Sequence, residues 1–81
     1  MKREKTVRRL IKKQADYTVG GYENAVDDGH LEKMPTKEIM AEEIYEEVIN
    51  LRNFKEFQTD IRFLGTEKIK DMINEEIDNQ F

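Results

Sequence analysis

Between Thr36 and Leu51, apolar and polar residues recur with the 3.6-residue period of an amphipathic helix. Met40, Ala41, Ile44, Tyr45, Val48 and Leu51 fall on one face, and Glu42, Glu43, Glu46, Glu47 and Asn50 on the other. Pro35 disfavours helix before this stretch, Thr36 offers a side-chain oxygen to cap it, and Glu38 lies near the positive end of its dipole. The pattern predicts a helix from about 36 to 52 that organises the rest of the chain.

The same period predicts helices elsewhere. Over residues 3–18, Val7, Leu10, Ile11, Gln14 and Thr18 form a thin stripe, and Arg8, Arg9, Lys12 and Lys13 occupy the remainder. This reads as a basic amphipathic helix docked along one line. Gly20-Gly21 follows, and each glycine weakens a helix by about 1 kcal/mol relative to alanine. Tyr22, Ala25 and Val26 nevertheless stay on nearly the same face. One kinked helix and two helices both fit, and the glycine pair favours two. Gly29 is placed to end the second in a left-handed cap, although Asp27 and Asp28 sit badly at its negative end.

Residues 29–35 read as a loop that Leu31 and Met34 can anchor. Beyond residue 52, Phe54, Phe57, Ile61 and Leu64 keep helical spacing on a face rotated from that of the preceding helix, so a bend is expected at Arg52–Asn53. At Gly65-Thr66, glycine suits a helix stop and threonine the next cap. The last helix, about 66–79, repeats Ile69, Met72, Ile73 and Ile77.

The predicted fold is all-α: a compact bundle of four or five short helices in one domain, residues 1–81. Turns are expected at Gly20–Gly21, Gly29–Pro35, Asn53 and Gly65. The predicted core is Val7, Leu10, Ile11, Tyr22, Val26, Met40, Ile44, Val48, Leu51, Phe54, Phe57, Ile61, Leu64, Ile69, Met72, Ile73 and Ile77.

Composition supports folding but narrows the chemistry. Leu, Ile, Val and Phe make up 20 of the 81 residues, above the roughly 20% level below which disorder becomes the default. Charged residues make up 40%, so the surface is largely ionic. The absence of cysteine excludes disulfides, thiolate metal sites and cysteine nucleophiles. Serine is absent too, so the single histidine, His30, has neither of the common nucleophiles to activate. Asp27, Asp28 and Glu32 around His30 suggest a weak divalent-ion site, but a lone histidine beside glycine reads better as a turn residue. The paired glutamates of the central helix face away from the apolar stripe and lack the Glu-x-x-His partner of di-metal bundles. They read as solvated surface. No phosphate-binding glycine motif or calcium-loop spacing occurs. No enzyme activity, metal or cofactor is expected.

Charge is distributed unevenly. Residues 1–15 carry seven Lys/Arg and one Glu, a balance of +6; residues 16–50 carry two and ten, or −8; residues 51–81 carry five and seven, or −2. No apolar run reaches signal-peptide or transmembrane length, so a cytoplasmic protein with no membrane partner is expected.

The favoured function is a non-enzymatic interaction protein that binds another protein or itself through helical faces. One alternative is a nucleic-acid accessory factor using Arg8, Arg9, Lys12 and Lys13, weakened by the acidic remainder of the chain. Another is an acidic inhibitor or nucleic-acid mimic using Glu42, Glu43, Glu46 and Glu47. A helix-turn-helix about Gly65 fails on charge, because its second helix would bring Glu67, Asp71, Glu75, Glu76 and Asp78 to the groove.

Through ADYTVGGYENAVDDG and IRFLGTEKIKDMI the chain resembles small uncharacterised accessory proteins of phages and conjugative elements of low-GC Gram-positive bacteria. Such proteins mostly have no assigned activity, so the resemblance implies no site residues.

Overall fold

The computed structural model describes residues 2–50 and 57–80. They form four helices: α1 (Lys2–Asp27), α2 (Lys37–Asn50), α3 (Gln58–Leu64) and α4 (Thr66–Gln80). The all-α bundle expected from the apolar period is the fold, with one large correction. The first helix is neither short nor broken at the glycine pair.

At 1.5 Å per residue the 26 residues of α1 extend about 39 Å, which matches the 40 Å long axis of the molecule. Gly20 and Gly21 lie inside it. Their combined propensity cost is about 2 kcal/mol. Against that, Val19 is buried and Tyr22 packs on the core from the far side of the pair. Burial of one valine contributes roughly 1.5–3 kcal/mol, so packing outweighs propensity and the helix continues.

The ends of the helices follow local chemistry. At Gly29, φ is 83°, the left-handed value that closes α1. The Gly29 N–H donates to the Val26 carbonyl (3.1 Å) and the His30 N–H to that of Ala25 (2.8 Å), the paired bonds of a Schellman motif. Thr36 caps α2 as expected: its Oγ1 accepts from the Ile39 N–H at 3.3 Å, and its carbonyl accepts from Met40. Between α3 and α4 the single residue Gly65 holds both end positions, at φ 86°. Its N–H donates to Ile61 and its carbonyl accepts from Ile69. Thr66 is therefore the first residue of α4, not its cap as expected.

Contacts along the chain set the helix directions. Glu4, Arg8 and Asp16 of α1 meet Lys68, Glu75 and Gln80 of α4 in ascending order, so these two helices are parallel. Lys37 and Tyr45 of α2 meet Asp78 and Lys70 in descending order, so α2 is antiparallel to α4. Short α3 lies beside the start of α1 through Arg3, which pairs with Asp60 at 3.4 Å. Far from docking along one line, α1 touches all three other helices.

The core is one cluster: Val7, Leu10, Ile11, Ala15 and Val19 from α1; Met40, Ile44 and Val48 from α2; Ile61 from α3; and Ile69, Met72, Ile73 and Ile77 from α4. Tyr22, Phe57 and Leu64, expected inside, are half-buried against it. Val26 is half-buried but stands apart from the cluster. Ala15 and Val19 join the core because the unbroken helix carries the Val7–Ile11 stripe onward. Met34 packs half-buried on the core, whereas Leu31 is exposed. Leu51, Phe54 and the bend expected at Arg52–Asn53 fall outside the described residues.

Candidate interaction surface

The residues singled out for chemistry are surface residues, and their surroundings decide what each can do. On α1, Arg8 is occupied. Its guanidinium donates to Glu75 at 2.9 Å across to α4 and to Glu4 at 3.1 Å one turn back. Glu4 also takes Lys68 at 3.2 Å. The resulting chain of charges lowers the Glu4 pKa, chiefly through the Arg8 hydrogen bond and then through Lys68. It raises that of Arg8, chiefly through Glu75. Arg3 likewise ties down the same end, with Asp60 beside it and the exposed Phe63 ring 4.5 Å beneath its guanidinium.

Arg9, Lys12 and Lys13 differ. They lie on the side of α1 turned from the bundle, exposed, with no ion pair among the described residues. Lys5 belongs with them. The four cations expected to act together thus divide into one that staples α1 to α4 and three that face outward.

The glutamates of α2 divide as well. Glu42 and Glu46 are exposed and, with Glu38, rim an open groove of about 430 Å³ between α2 and α4. Its floor is Ala41, Tyr45 and Ile73, and Lys70 stands on the opposite wall with its Nζ 5.2 Å from the Tyr45 ring centre. Glu43 and Glu47 are half-buried on the α1 side. The reading of all four as solvated surface is corrected at Glu43, whose Oε2 accepts a 2.6 Å hydrogen bond from the Tyr22 hydroxyl. That bond raises the Tyr22 pKa, with burial as the second cause. Beside it Gln14, Tyr17, Thr18, Gly21, Ala25 and Leu31 line a second groove of about 360 Å³.

These placements answer the question raised by the uneven charge. Of the cations in the first half of α1, Arg3 and Arg8 pair with α3 and α4, and Lys5, Arg9, Lys12 and Lys13 face outward. The carboxylates of α2 lie along the grooves beside α4 and the second half of α1. The described α1–α2 polar link is the phenol–carboxylate bond of Tyr22 and Glu43, not an ion pair. Sequence reasoning missed the Arg8–Glu75, Arg3–Asp60 and Tyr22–Glu43 pairs. The partners lie 67, 57 and 21 positions apart, and no local pattern encodes such a match.

His30 is exposed in the closing turn of α1. Among the described residues no three His, Asp or Glu side chains converge in a way that would hold a metal ion. No described helix is long and apolar enough to cross a membrane. Comparisons with protein-family models, with curated proteins and with solved structures find no match.

Proposed function

We propose that this chain is a small cytoplasmic, non-enzymatic interaction protein, of the kind carried by phages and conjugative elements, that binds another protein or itself through its charged helical faces. One observation supports this most. The outward cations Arg9, Lys12 and Lys13 and the outward carboxylates Glu38, Glu42 and Glu46 occupy separate surfaces and do not neutralise one another within a chain. Each surface is therefore available to a partner of opposite charge, where complementarity sets orientation and encounter rate more than affinity.

The test is capture of partners by three immobilised forms: the unaltered chain, Arg9→Ala/Lys12→Ala/Lys13→Ala, and Glu38→Gln/Glu42→Gln/Glu46→Gln. A partner, including added free chain, that is held by the first and lost from one variant supports the reading and identifies the face. Identical capture by all three overturns it.

Nucleic-acid binding is the second reading, favoured by the exposure of Lys5, Arg9, Lys12 and Lys13 on one face of α1. Arg8 is withdrawn from that set by Glu75 and Glu4. Fluorescence anisotropy with random duplex and single-stranded DNA at about 0.05 M salt, where the phosphate contribution is strong, decides it. Absence of binding there removes it.

A further inference from the structure

The free face of α1 carries both signs of charge, sorted by position. Around the helix, Lys5, Arg9, Lys12 and Lys13 share the solvent side with Asp16, Glu23 and Asp27, and all seven are exposed. The first four occupy the N-terminal half and the last three the C-terminal half. At its ends this order is unfavourable to an isolated helix, since Lys5 in the first turn and Asp27 in the last both oppose the macrodipole. It also finds little use inside the molecule. Arg9, Lys12, Lys13, Glu23 and Asp27 form no ion pair among the described residues, and Asp16 accepts only the Gln80 amide at 2.7 Å.

The spacing of these charges is symmetric about position 18. Arg9 and Asp27 stand nine residues to either side of it, since 18 − 9 and 27 − 18 are equal. Their separation of 18 residues is five full helical turns, so they share one line of the face. Lys12 and Glu23 are centred on nearly the same level, 11 residues apart, which is close to three turns and places both on one edge. A two-fold axis normal to α1 at this level reverses the helix and keeps each edge facing its own counterpart. It brings Arg9 onto Asp27 and Lys12 onto Glu23 of a second copy, and each pair occurs twice. At the centre, Asp16 of one copy meets Gly20 of the other. Nothing in the chain itself lies within 4 Å of where a Gly20 Cβ would be, so no internal crowding accounts for a glycine there.

We infer that two copies of this chain pair antiparallel along the free face of α1, the basic half of each helix lying on the acidic half of the other. This rests on the reading of the chain as a protein that binds through charged helical faces, and it commits that reading to one occupant. A two-fold pairing of this kind closes on itself and forms a dimer, not a filament.

The experiment is sedimentation velocity on the full chain over a concentration series, at about 0.01 M and about 1 M salt, where the Debye length falls from roughly 30 Å to 3 Å. A dimer at low salt that dissociates at high salt is expected. Arg9→Glu/Lys12→Glu makes the face wholly acidic at the four pairing positions, and Glu23→Lys/Asp27→Lys makes it wholly basic. Each variant alone is expected to dimerise at least about tenfold more weakly. Mixed in equal amounts, the two are expected to form a heterodimer, because both ends of the pairing are then complementary. The quadruple variant restores the homodimer by the same logic. All four positions are exposed, and circular dichroism verifies that the helices are retained.

A strictly monomeric unaltered chain overturns the pairing; if it still captures another protein, the wider reading survives. Association that ignores these substitutions, or a mixture that fails to recover it, places self-association elsewhere and also overturns the α1 pairing.

Discussion

The two halves of α1 belong to one helix and are held in place by different means. The N-terminal half buries the bulky side chains Val7, Leu10 and Ile11 and brackets them with ion pairs from Arg3, Glu4 and Arg8 to α3 and α4. The C-terminal half buries Ala15, Thr18 and Val19, with no leucine or isoleucine among them, and then crosses two glycines. It is held by the Tyr22–Glu43 hydrogen bond and by the paired bonds of the Gly29 cap. The first half relies on apolar bulk, because exposed ion pairs contribute only about 0–1 kcal/mol each. The second relies on Ala15, Val19 and the half-buried Tyr22 and on hydrogen bonds that finish the helix. Continuity of a helix is thus a property of what it packs against, even where its own residues argue for a break.

The contrast can be broken most forcefully in the first half. Ile11 is 1% exposed in the centre of the cluster, and Ile11→Ala is expected to cost about 2–5 kcal/mol by lost burial and the cavity left behind. Val19→Ala, in the second half, removes fewer atoms and should cost less. Equal losses in urea denaturation would show that the two halves are not held differently.

The glycine pair tests the second half with the opposite sign. No heavy atom lies within 4 Å of a Cβ built at Gly20 or Gly21, and both positions are helical. Gly20→Ala/Gly21→Ala should therefore stabilise the chain by about 1–2 kcal/mol and raise its melting temperature. A lowered melting temperature would mean that α1 needs to flex at this point.

Tyr22→Phe removes the bond to Glu43 and should cost about 1 kcal/mol at neutral pH. The variant also carries a pH signature. The folded-state pKa of Tyr22 is raised above its unfolded value, so the bond's contribution is full below the ordinary phenol range and is lost as pH rises through the folded value. Denaturation at neutral and strongly alkaline pH should show a loss in the parent that is smaller in Tyr22→Phe.

The smallest effect is expected at Glu4. Its pKa is lowered by Arg8 and Lys68, so the stability it confers is present above the ordinary carboxylate range and is lost as pH falls through the folded value. Glu4→Gln should lower stability slightly at neutral pH and leave it unchanged once Glu4 of the parent is protonated, so the acid limb flattens by that same small amount. An unchanged acid limb would show that these exposed bonds do not hold the first half of α1.

Legibility in the sequence followed the range of the interaction responsible. The period of α2 and α4, the Thr36 cap and the stop at Gly29 depend on residues within a turn or two of each other, and all were readable. The candidate surface was readable only as lists of charges: Arg8 and Arg9 are neighbours in sequence, yet one is tied to α4 and the other makes no ion pair among the described residues. Glu43 is indistinguishable from Glu42 until α1 supplies Tyr22.

By itself, then, the chain determined its helical class, the apolar faces of its helices and most of their ends, because backbone hydrogen bonding and side-chain period act locally. Tertiary structure decided that α1 runs through Gly20 and Gly21 and which charges are consumed internally. Those outcomes depend on burial and on distances between residues far apart in sequence, where a few kcal/mol of packing overrides about 1 kcal/mol of local preference at each glycine.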